Sequence, residues 1–307
     1  MVKNRSTLYN SGIHFQGITP DIEKLIDQAL LEDLGGGDVT TDALLPYDQR
    51  GKAAIIPRVD GVLAGIDIAA AVFKRLDITL EWRTLLQDGS RIIPADSGMA
   101  LDRYVAVAEI SGPIGSILKA ERTALNFVQH LSGIATETRK YVDAVEGYSV
   151  RILDTRKTIP GLRALGKYAV RVGGGYNHRR GLGDGILVKD NHIEALRSSG
   201  LSIAEIVERV RENSIHTLQV EIEVEDLDGA REALDSGADV LLFDNMSTED
   251  IAVGVKQAQG LARTEASGGI TLDNVREVAS TGVDMISVGA LTHSAKSLDV
   301  GLDFIED

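Results

Sequence analysis

The chain has 307 residues, of which 43% are hydrophobic, so it is long enough for about two domains with sizeable cores. Its 46 acidic and 32 basic side chains give a formal net charge of −14, which argues against general binding to nucleic acid or to anionic membranes. The absence of cysteine excludes disulfides, thiolate nucleophiles and metal sites built on cysteine.

The start of the chain predicts neither a signal peptide nor a membrane segment. No apolar run approaches the roughly 20 residues that cross a bilayer, and residues 1–16 lack the apolar stretch of a secretory signal. We therefore expect a cytoplasmic protein with no membrane partner. Residues 1–18 are interpreted as an N-terminal arm.

The first half of the chain predicts an α+β domain over residues 19–128. Pro20, followed by an acidic first turn, predicts a helix over residues 20–30. The remaining predicted elements are strand-like segments at residues 51–59, 80–86 and 101–110, a helix at residues 66–76 and a long helix at residues 119–145.

The second half repeats one pattern, in which a short apolar run is followed by a polar residue or glycine and then by an amphipathic segment. Predicted helices include residues 226–236 and residues 272–280, the second capped by Thr271. Gly237 and Gly282 stand where these helices should stop. The six apolar runs lie at residues 150–153, 186–188, 218–222, 240–243, 264–266 and 285–288.

This alternation predicts a parallel sheet, and six such units with polar groups at the strand ends favour a closed or nearly closed α/β barrel over residues 129–291. A doubly wound open sheet is the alternative fold. Neither a GxGxxG dinucleotide pattern nor a GxxxxGK[ST] phosphate loop is present in the expected context, so these sites have no support.

One stretch of the acidic chain is basic. Residues 151–192 contain nine lysines and arginines against three aspartates, together with two histidines and eight glycines. Glycine permits close approach of the backbone to a bound molecule. A basic, glycine-rich stretch indicates a small polyanionic ligand, and a solvated basic loop is the alternative.

Eight segments, in order along the chain, resemble the quinolinate phosphoribosyltransferase family. Among them are Asp154-Thr155-Arg156-Lys157-Thr158 and Lys189-Asp190-Asn191-His192. The full set lies at residues 31–41, 121–126, 154–158, 174–179, 189–192, 221–225, 244–246 and 267–270.

The resemblance implies an N-terminal α+β sandwich domain, completed by residues 292–307, and a C-terminal incomplete TIM-like α/β barrel. It implies transfer of phosphoribosyl from phosphoribosyl pyrophosphate to quinolinate, with loss of CO₂ and pyrophosphate, to give nicotinate mononucleotide for NAD biosynthesis. It also implies Mg²⁺ as cofactor and a homodimer or larger homo-oligomer, with active sites at the subunit interface.

Site residues follow from the same resemblance. Quinolinate is a dicarboxylate, and guanidinium groups bind carboxylates through paired N–H donors. The positions that match quinolinate-binding residues are Arg156, Arg179 and Lys189, with His178 beside them and Arg122 entering the neighbouring subunit's site. The other matching substrate-binding positions are Thr155, Lys157, Glu223, Asp244, Ser267, Gly268, Gly269 and Gly289.

Three of these residues are expected to be catalytic. Lys157 would neutralise pyrophosphate as a compact charge. Glu223 and Asp244 would stabilise the ribosyl cation and hold Mg²⁺, directly or through water and substrate. Glu221 lies on the same side of its strand as Glu223, and we assign the ligand role to Glu223 because it is nearer the strand end.

Three other functions stay open at this point. A barrel-type phosphoribosyltransferase could use nicotinate or another pyridine or pyrimidine acceptor, although the excess of cations at the acceptor positions argues against a monocarboxylate. A sugar-phosphate aldolase or isomerase could use Lys189 to form a Schiff base. A phosphate-binding protein without catalytic activity would keep the basic stretch but release no pyrophosphate.

Overall fold

The computed structural model describes residues 17–93, 105–198 and 200–306, and they form two units. The first unit contains residues 17–139, 160–174 and 294–306, and the second contains residues 140–159 and 175–293. The predicted arm lies outside the described residues except for its last two.

In chain order the elements are α1 (Pro20–Leu34), α2 (Val39–Leu44), β1 (Arg50–Pro57), β2 (Gly61–Val62), α3 (Ile66–Leu76), β3 (Glu81–Thr84), β4 (Arg91–Ile92), β5 (Ala108–Pro113), α4 (Ile114–Ala144), β6 (Arg151–Leu153), α5 (Arg163–Val172) and β7 (Ile186–Val188). They continue with α6 (Asp190–Arg197), α7 (Ile203–Asn213), β8 (Val220–Val224), α8 (Leu227–Asp235), β9 (Val240–Asp244), α9 (Thr248–Ala258), β10 (Arg263–Ser267), α10 (Val275–Ser280), β11 (Met285–Ser287), α11 (Ala290–His293) and β12 (Val300–Ile305).

The first unit is built on an antiparallel sheet in the order β12-β1-β5-β3. The C-terminal strand β12 pairs with β1, so the last strand of the chain completes the sheet of the first unit. Helix α3 supplies a wholly buried Phe73, whose ring lies 5.6 Å from that of Trp82 on β3. The prediction of an α+β domain is confirmed. Residues 101–104 of the predicted strand 101–110 lie outside the described residues, and strand β5 begins only at Ala108.

Helix α1 shows why the prediction from sequence succeeded here. Pro20 stands in its first turn, where a missing N–H costs nothing, and acidic side chains complement the positive end of the helix dipole. The buried residues Ile22, Ile26 and Leu30 recur every four positions and form the buried face.

The second unit contains six parallel strands in the order β6-β11-β10-β9-β8-β7. Its first strand, β6, pairs with its last, β11, as in a barrel that closes on itself. The ladder is interrupted only between β6 and β7, where Leu153 and Tyr176 form an isolated parallel bridge. The TIM-like incomplete barrel is therefore confirmed, because a doubly wound sheet would not bring its first and last strands together in this way.

Two local predictions are wrong. Helix α10 begins at Val275 rather than Leu272, and its N-cap is Asn274 rather than Thr271, because the Asn274 side chain accepts the Thr271 N–H at 2.8 Å and closes a turn there. Strand β8 continues to Val224, so Glu223 lies within the strand instead of after it. The predicted stops at Gly237 and Gly282 are confirmed: both have positive φ directly after a helix.

Candidate functional site

The barrel brings twelve of the thirteen predicted substrate-binding residues into one unit. Because parallel strands end at the same edge of a sheet, residues at their carboxyl ends lie around one opening. Arg122 is the exception, since it lies exposed on α4 in the first unit. The twelve are Thr155, Arg156 and Lys157 after β6; His178 and Arg179 after the Tyr176 bridge; Lys189 after β7; Glu223 and Asp244 in the last two residues of their strands; Ser267, Gly268 and Gly269 at the end of β10; and Gly289 after β11.

Two arginines form the cationic centre of this site. Burial lowers the pKa of Arg179, and the nearby positive charge of Arg156 lowers it further. Arg179 Nη1 donates to the Gly185 carbonyl at 3.0 Å. Arg156 Nε is buried and has no hydrogen-bond partner among the described residues. Adjacent cations with an unused buried donor cost free energy unless an anion binds between them, so the pair indicates an anion site.

A wholly buried aspartate holds the segment that carries Arg179. Asp154 accepts the side-chain N–H of Asn177 at 2.7 Å and the backbone N–H of His178 at 2.8 Å. The backbone N–H of Asp154 donates in turn to the Tyr176 carbonyl. Asp154 therefore connects the loop after β6, which carries Arg156, with the segment that carries Arg179.

A histidine and two glutamates form a cluster inside the barrel. His178 Nε2 lies 3.3 Å from Glu221 Oε2 and 3.6 Å from Glu265 Oε1. The cluster adjoins a cavity of about 330 Å³, whose lining includes Arg179 and Arg263. Burial, and next the neighbouring charge of Glu221, raise the pKa of Glu265 to about 7, while His178 and a hydrogen bond from Ser287 oppose the increase.

The raised pKa predicts a pH-dependent stability. Folded Glu265 holds its proton more tightly than an unfolded glutamate with a pKa of 4.5, so its contribution is complete below pH 4.5 and is lost as pH rises through 7. We expect the free energy of unfolding to fall by about 2 kcal/mol more in the wild type than in Glu265→Gln between pH 5 and pH 8. Urea unfolding at both pH values measures this difference, and parallel pH profiles for the two proteins would contradict it.

Lys189 and Glu223 form an ion pair at the barrel edge. Lys189 Nζ donates to Glu223 Oε2 at 2.7 Å, and the Glu223 side chain is only 8% exposed. Lys189 is also the N-cap of α6, and its backbone N–H donates to His192 Nδ1 at 3.0 Å. The start of the helix thus fixes the backbone that carries the lysine.

The loop after β10 combines unusual backbone conformations with a close contact. Gly268 and Gly269 have φ values of 85° and 61°, which favour glycine. Asn245 has a φ of 54°, its N–H donates to the Ser267 carbonyl at 3.0 Å, and its side chain donates to Asp244 at 2.9 Å. A Cβ on Gly268 would collide with the side chain and backbone of Asn245. The loop and Asp244 are therefore positioned together.

Gly268→Ala should accordingly distort the loop after β10. A side chain at this φ costs about 1–2 kcal/mol, and the collision with Asn245 adds to that cost. For the substrate-binding role that the family resemblance implies for this loop, we expect KM for phosphoribosyl pyrophosphate to rise at least tenfold, as measured by steady-state kinetics. Gly36→Ala is the control, because a Cβ there meets open space. An unchanged KM in a folded Gly268→Ala protein would contradict the role of the loop.

Lys157 is held by the segment after β11. Thr292 Oγ1 donates to the Lys157 carbonyl at 2.7 Å. A Cβ added at Gly289 would lie 3.1 Å from Lys157 Cδ and 3.2 Å from His293 Nε2, so the glycine leaves room for both side chains. The Lys157 side chain itself is exposed and available to a ligand.

Two sets of residues have the chemistry to hold a cation. Glu223 and Asp244 offer carboxylate oxygens, which Mg²⁺ prefers, and they stand at the ends of neighbouring strands β8 and β9. His178, Glu221 and Glu265 have ligand atoms within 4.8 Å of one another. Glu223 and Asp244 stand at the carboxyl-end edge of the sheet, where a ligand of a barrel binds, whereas His178, Glu221 and Glu265 lie inside the barrel, so Glu223 and Asp244 are the better fit to magnesium.

Four contributors were not predicted from the sequence: Asp154, Glu265, Thr292 and His293. Asp154 stands in a motif that the sequence analysis identified, but its burial depends on a hydrogen bond from Asn177, which lies 23 residues later in the chain. Glu265 stands in the middle of the predicted barrel strand 264–266, and such an acid in a buried strand is the signal that would have found it.

Comparisons with known proteins cover both units. Residues 38–132 match the model of the quinolinate phosphoribosyl transferase N-terminal domain, and residues 134–303 match that of the C-terminal domain. Among the described residues, no helix is both long and apolar enough to cross a membrane.

Similar full-length proteins share the name of one enzyme. The chain is 42% identical over 282 residues to a probable nicotinate-nucleotide pyrophosphorylase [carboxylating] of Bacillus subtilis, covering 92% of this chain and 93% of that one. The corresponding protein of Mycobacterium leprae is 44% identical, with 91% and 95% covered. The structure of the Francisella tularensis nicotinate-nucleotide pyrophosphorylase has a TM-score of 0.84 at 38% identity and covers 94% of this chain and 98% of its own. The chain therefore belongs to the quinolinate phosphoribosyltransferase family.

Proposed function

We propose that the protein transfers the phosphoribosyl group of phosphoribosyl pyrophosphate to quinolinate, giving nicotinate mononucleotide, pyrophosphate and CO₂. The observation that carries the proposal is the Arg156–Arg179 pair, with the buried and unsatisfied Arg156 Nε. An acceptor with two carboxylates supplies the two anions that such a pair lacks. The names of the relatives support the same reaction.

The acceptor half of the site orients the pyridine ring. Arg156 and Arg179 bind the carboxylates, and the ring nitrogen then faces the anomeric carbon of the donor. After transfer, the quaternised nitrogen stabilises the carbanion left by departing CO₂, so decarboxylation needs no protein base. Lys189 contributes a third positive charge once an acceptor carboxylate competes with Glu223 for its ammonium group.

The donor half stabilises the developing charges. Lys157, held through its carbonyl by Thr292, places a compact positive charge near the departing pyrophosphate. Glu223 and Asp244 stabilise the cationic ribosyl group, and the Ser267–Gly268–Gly269 and Gly289 loops receive the phosphate. Glu223 and Asp244 would hold magnesium, directly or through water and substrate, and the bound ion would neutralise part of the pyrophosphate charge.

The assembly proposed for this reaction is a homodimer or larger homo-oligomer. Arg122 is exposed on α4, so its guanidinium is available to the site of a neighbouring subunit. A cytoplasmic location and the absence of nucleic-acid partners remain predictions from the composition. Mixing an Arg122→Ala subunit with a subunit inactivated in the barrel would restore activity if the site is shared.

One experiment tests the main proposal. The protein is incubated with Mg²⁺, phosphoribosyl pyrophosphate and either quinolinate or nicotinate, and nucleotide and CO₂ are measured in parallel. We expect nicotinate mononucleotide from quinolinate with one CO₂ released per nucleotide. Product from nicotinate alone would favour the monocarboxylate alternative, and no product from folded protein would overturn the assignment.

The Schiff-base alternative is disfavoured by the structure. A lysine amine must be unprotonated to attack a carbonyl, whereas Lys189 is ion-paired with a buried carboxylate at 2.7 Å. Borohydride treatment in the presence of a sugar phosphate is therefore expected to leave Lys189 unmodified.

A further inference from the structure

Both ring nitrogens of His178 face protein groups in this structure. The backbone N–H of Arg179 donates to Nδ1 at 2.7 Å, so Nδ1 acts as an acceptor. The proton of the neutral ring then lies on Nε2, which faces Glu221 at 3.3 Å and Glu265 at 3.6 Å. The ring therefore connects two interior carboxylates with the backbone of an acceptor-site arginine.

Both glutamates of this cluster are buried inside the barrel. Glu265 is 1% exposed, and one carboxylate oxygen of each glutamate, Oε1, is buried without a hydrogen-bond partner among the described residues. Glu221 points into the barrel from β8, two positions before Glu223, and Glu265 does so from β10, two positions before Ser267. Burial of two acids costs free energy unless nearby groups pair with them, and the His178 ring is such a group.

The orientation of the histidine ring affects Arg179 directly. The Arg179 backbone is held by Nδ1 of His178, and its guanidinium is held on the other side by the Gly185 carbonyl. A rotated ring would release the backbone contact and leave the N–H of Arg179 unpaired. The guanidinium would then lose its fixed position beside Arg156.

We propose that Glu265 is a positioning residue, which, together with Glu221, fixes the orientation of the His178 ring and through it the place of Arg179 in the acceptor site. The inference rests on the proposed function, because Arg179 is taken there to bind an acceptor carboxylate. Its effect is on acceptor affinity. Donor binding and the transfer step do not depend on this contact.

The test compares substitutions that keep or remove the contact. Glu265→Met keeps the approximate length of the side chain but removes both carboxylate oxygens. Glu265→Gln keeps one oxygen that can accept a hydrogen bond from His178. His178→Asn keeps an acceptor near the place of Nδ1 but no longer reaches the glutamates. We expect Glu265→Met and His178→Asn each to raise KM for quinolinate about tenfold, because the ring and the interior carboxylate that faces it no longer fix each other's position. In Glu265→Met, KM for phosphoribosyl pyrophosphate and kcat should stay within twofold of the wild type, and Glu265→Gln should keep the wild-type KM for quinolinate.

A double variant and a control on the same strand separate positioning from general stability. If Glu265 acts through His178, the Glu265→Met/His178→Asn protein is no worse than either single variant. Thr264→Val is the control, because Thr264 lies on the opposite face of β10, where its hydroxyl donates to Asp284 at 2.9 Å. It should lower stability without changing KM for quinolinate. Additive effects, or equal changes in kcat and both KM values, would overturn the proposal.

One readout does not depend on turnover. Nitrogen-15 NMR of the His178 imidazole reports which ring nitrogen carries the proton, whether or not quinolinate is the substrate. We expect the proton on Nε2 in the wild type and in Glu265→Gln, and a mixture of tautomers in Glu265→Met. An inactive protein with this pattern would contradict the proposed function alone, whereas identical tautomers in all three proteins would contradict the positioning role.

Discussion

Arg156→Ala is expected to raise KM for quinolinate at least about 100-fold, with little change in binding of phosphoribosyl pyrophosphate. The substitution removes the fork of N–H donors and leaves Arg179 as the remaining guanidinium of the pair. Charge-assisted hydrogen bonds contribute about 1.5–3 kcal/mol each, so the loss of a bidentate contact corresponds to roughly two orders of magnitude. Steady-state kinetics with each substrate varied in turn measures the effect.

Two further substitutions make this result specific. Arg156→Lys keeps the charge but not the planar fork, and should recover only a small part of the affinity. Arg180→Ala removes an exposed charge from the same basic stretch and should change KM for quinolinate less than threefold. If Arg156→Ala kept the wild-type affinity and rate for quinolinate, the acceptor site would lie elsewhere.

Asp154→Ala should lower the free energy of unfolding by about 3 kcal/mol and abolish most of the activity. Asp154 is wholly buried and accepts hydrogen bonds from Asn177 and His178, and removal of one member of a buried polar network leaves its partners unsatisfied. The released segment also carries Arg179. Urea unfolding measures the first effect, and kinetics at a temperature where the variant is folded measure the second.

The matched control is Asp273→Ala, which removes an exposed aspartate from the turn before α10. Its free energy of unfolding should stay within about 0.5 kcal/mol of the wild type. An Asp154→Ala protein as stable and as active as this control would show that the loop after β6 and the His178 segment are fixed by other contacts.

Much of the fold could be predicted because its signals are local. Helix α3 and strand β7 have the predicted bounds, since an apolar period of 3.6 or a short apolar run is visible in the sequence itself. The N-cap of α10 was misplaced because Thr271 and Asn274 both suit a cap, and only the side-chain hydrogen bond of Asn274 decides between them.

The residues around the barrel opening could be predicted from the sequence, but the contacts between side chains inside the barrel could not. The barrel pattern predicts that polar residues at strand ends share one opening, and the family resemblance identified Arg156, Lys189 and Asp244 among them. The partnership of Glu265 with His178 depends on which strands meet across the barrel, and no short segment of sequence encodes that pairing. The family resemblance supplied roles for residues whose types alone would also fit an ordinary basic loop.

The interruption of the barrel between β6 and β7 has a consequence for how acceptor choice can change. The segment that closes it is attached by the Leu153–Tyr176 bridge, by the bonds of Asp154 and by the contacts of His178 with Glu221 and Glu265, while the other strands form a continuous ladder. Residues 180–184, which follow these contacts, can therefore vary in length and chemistry at little cost to the ladder. Because this loop directly follows Arg179, a change in it would alter the surroundings of an acceptor-site arginine while the strands that support the rest of the barrel stay paired.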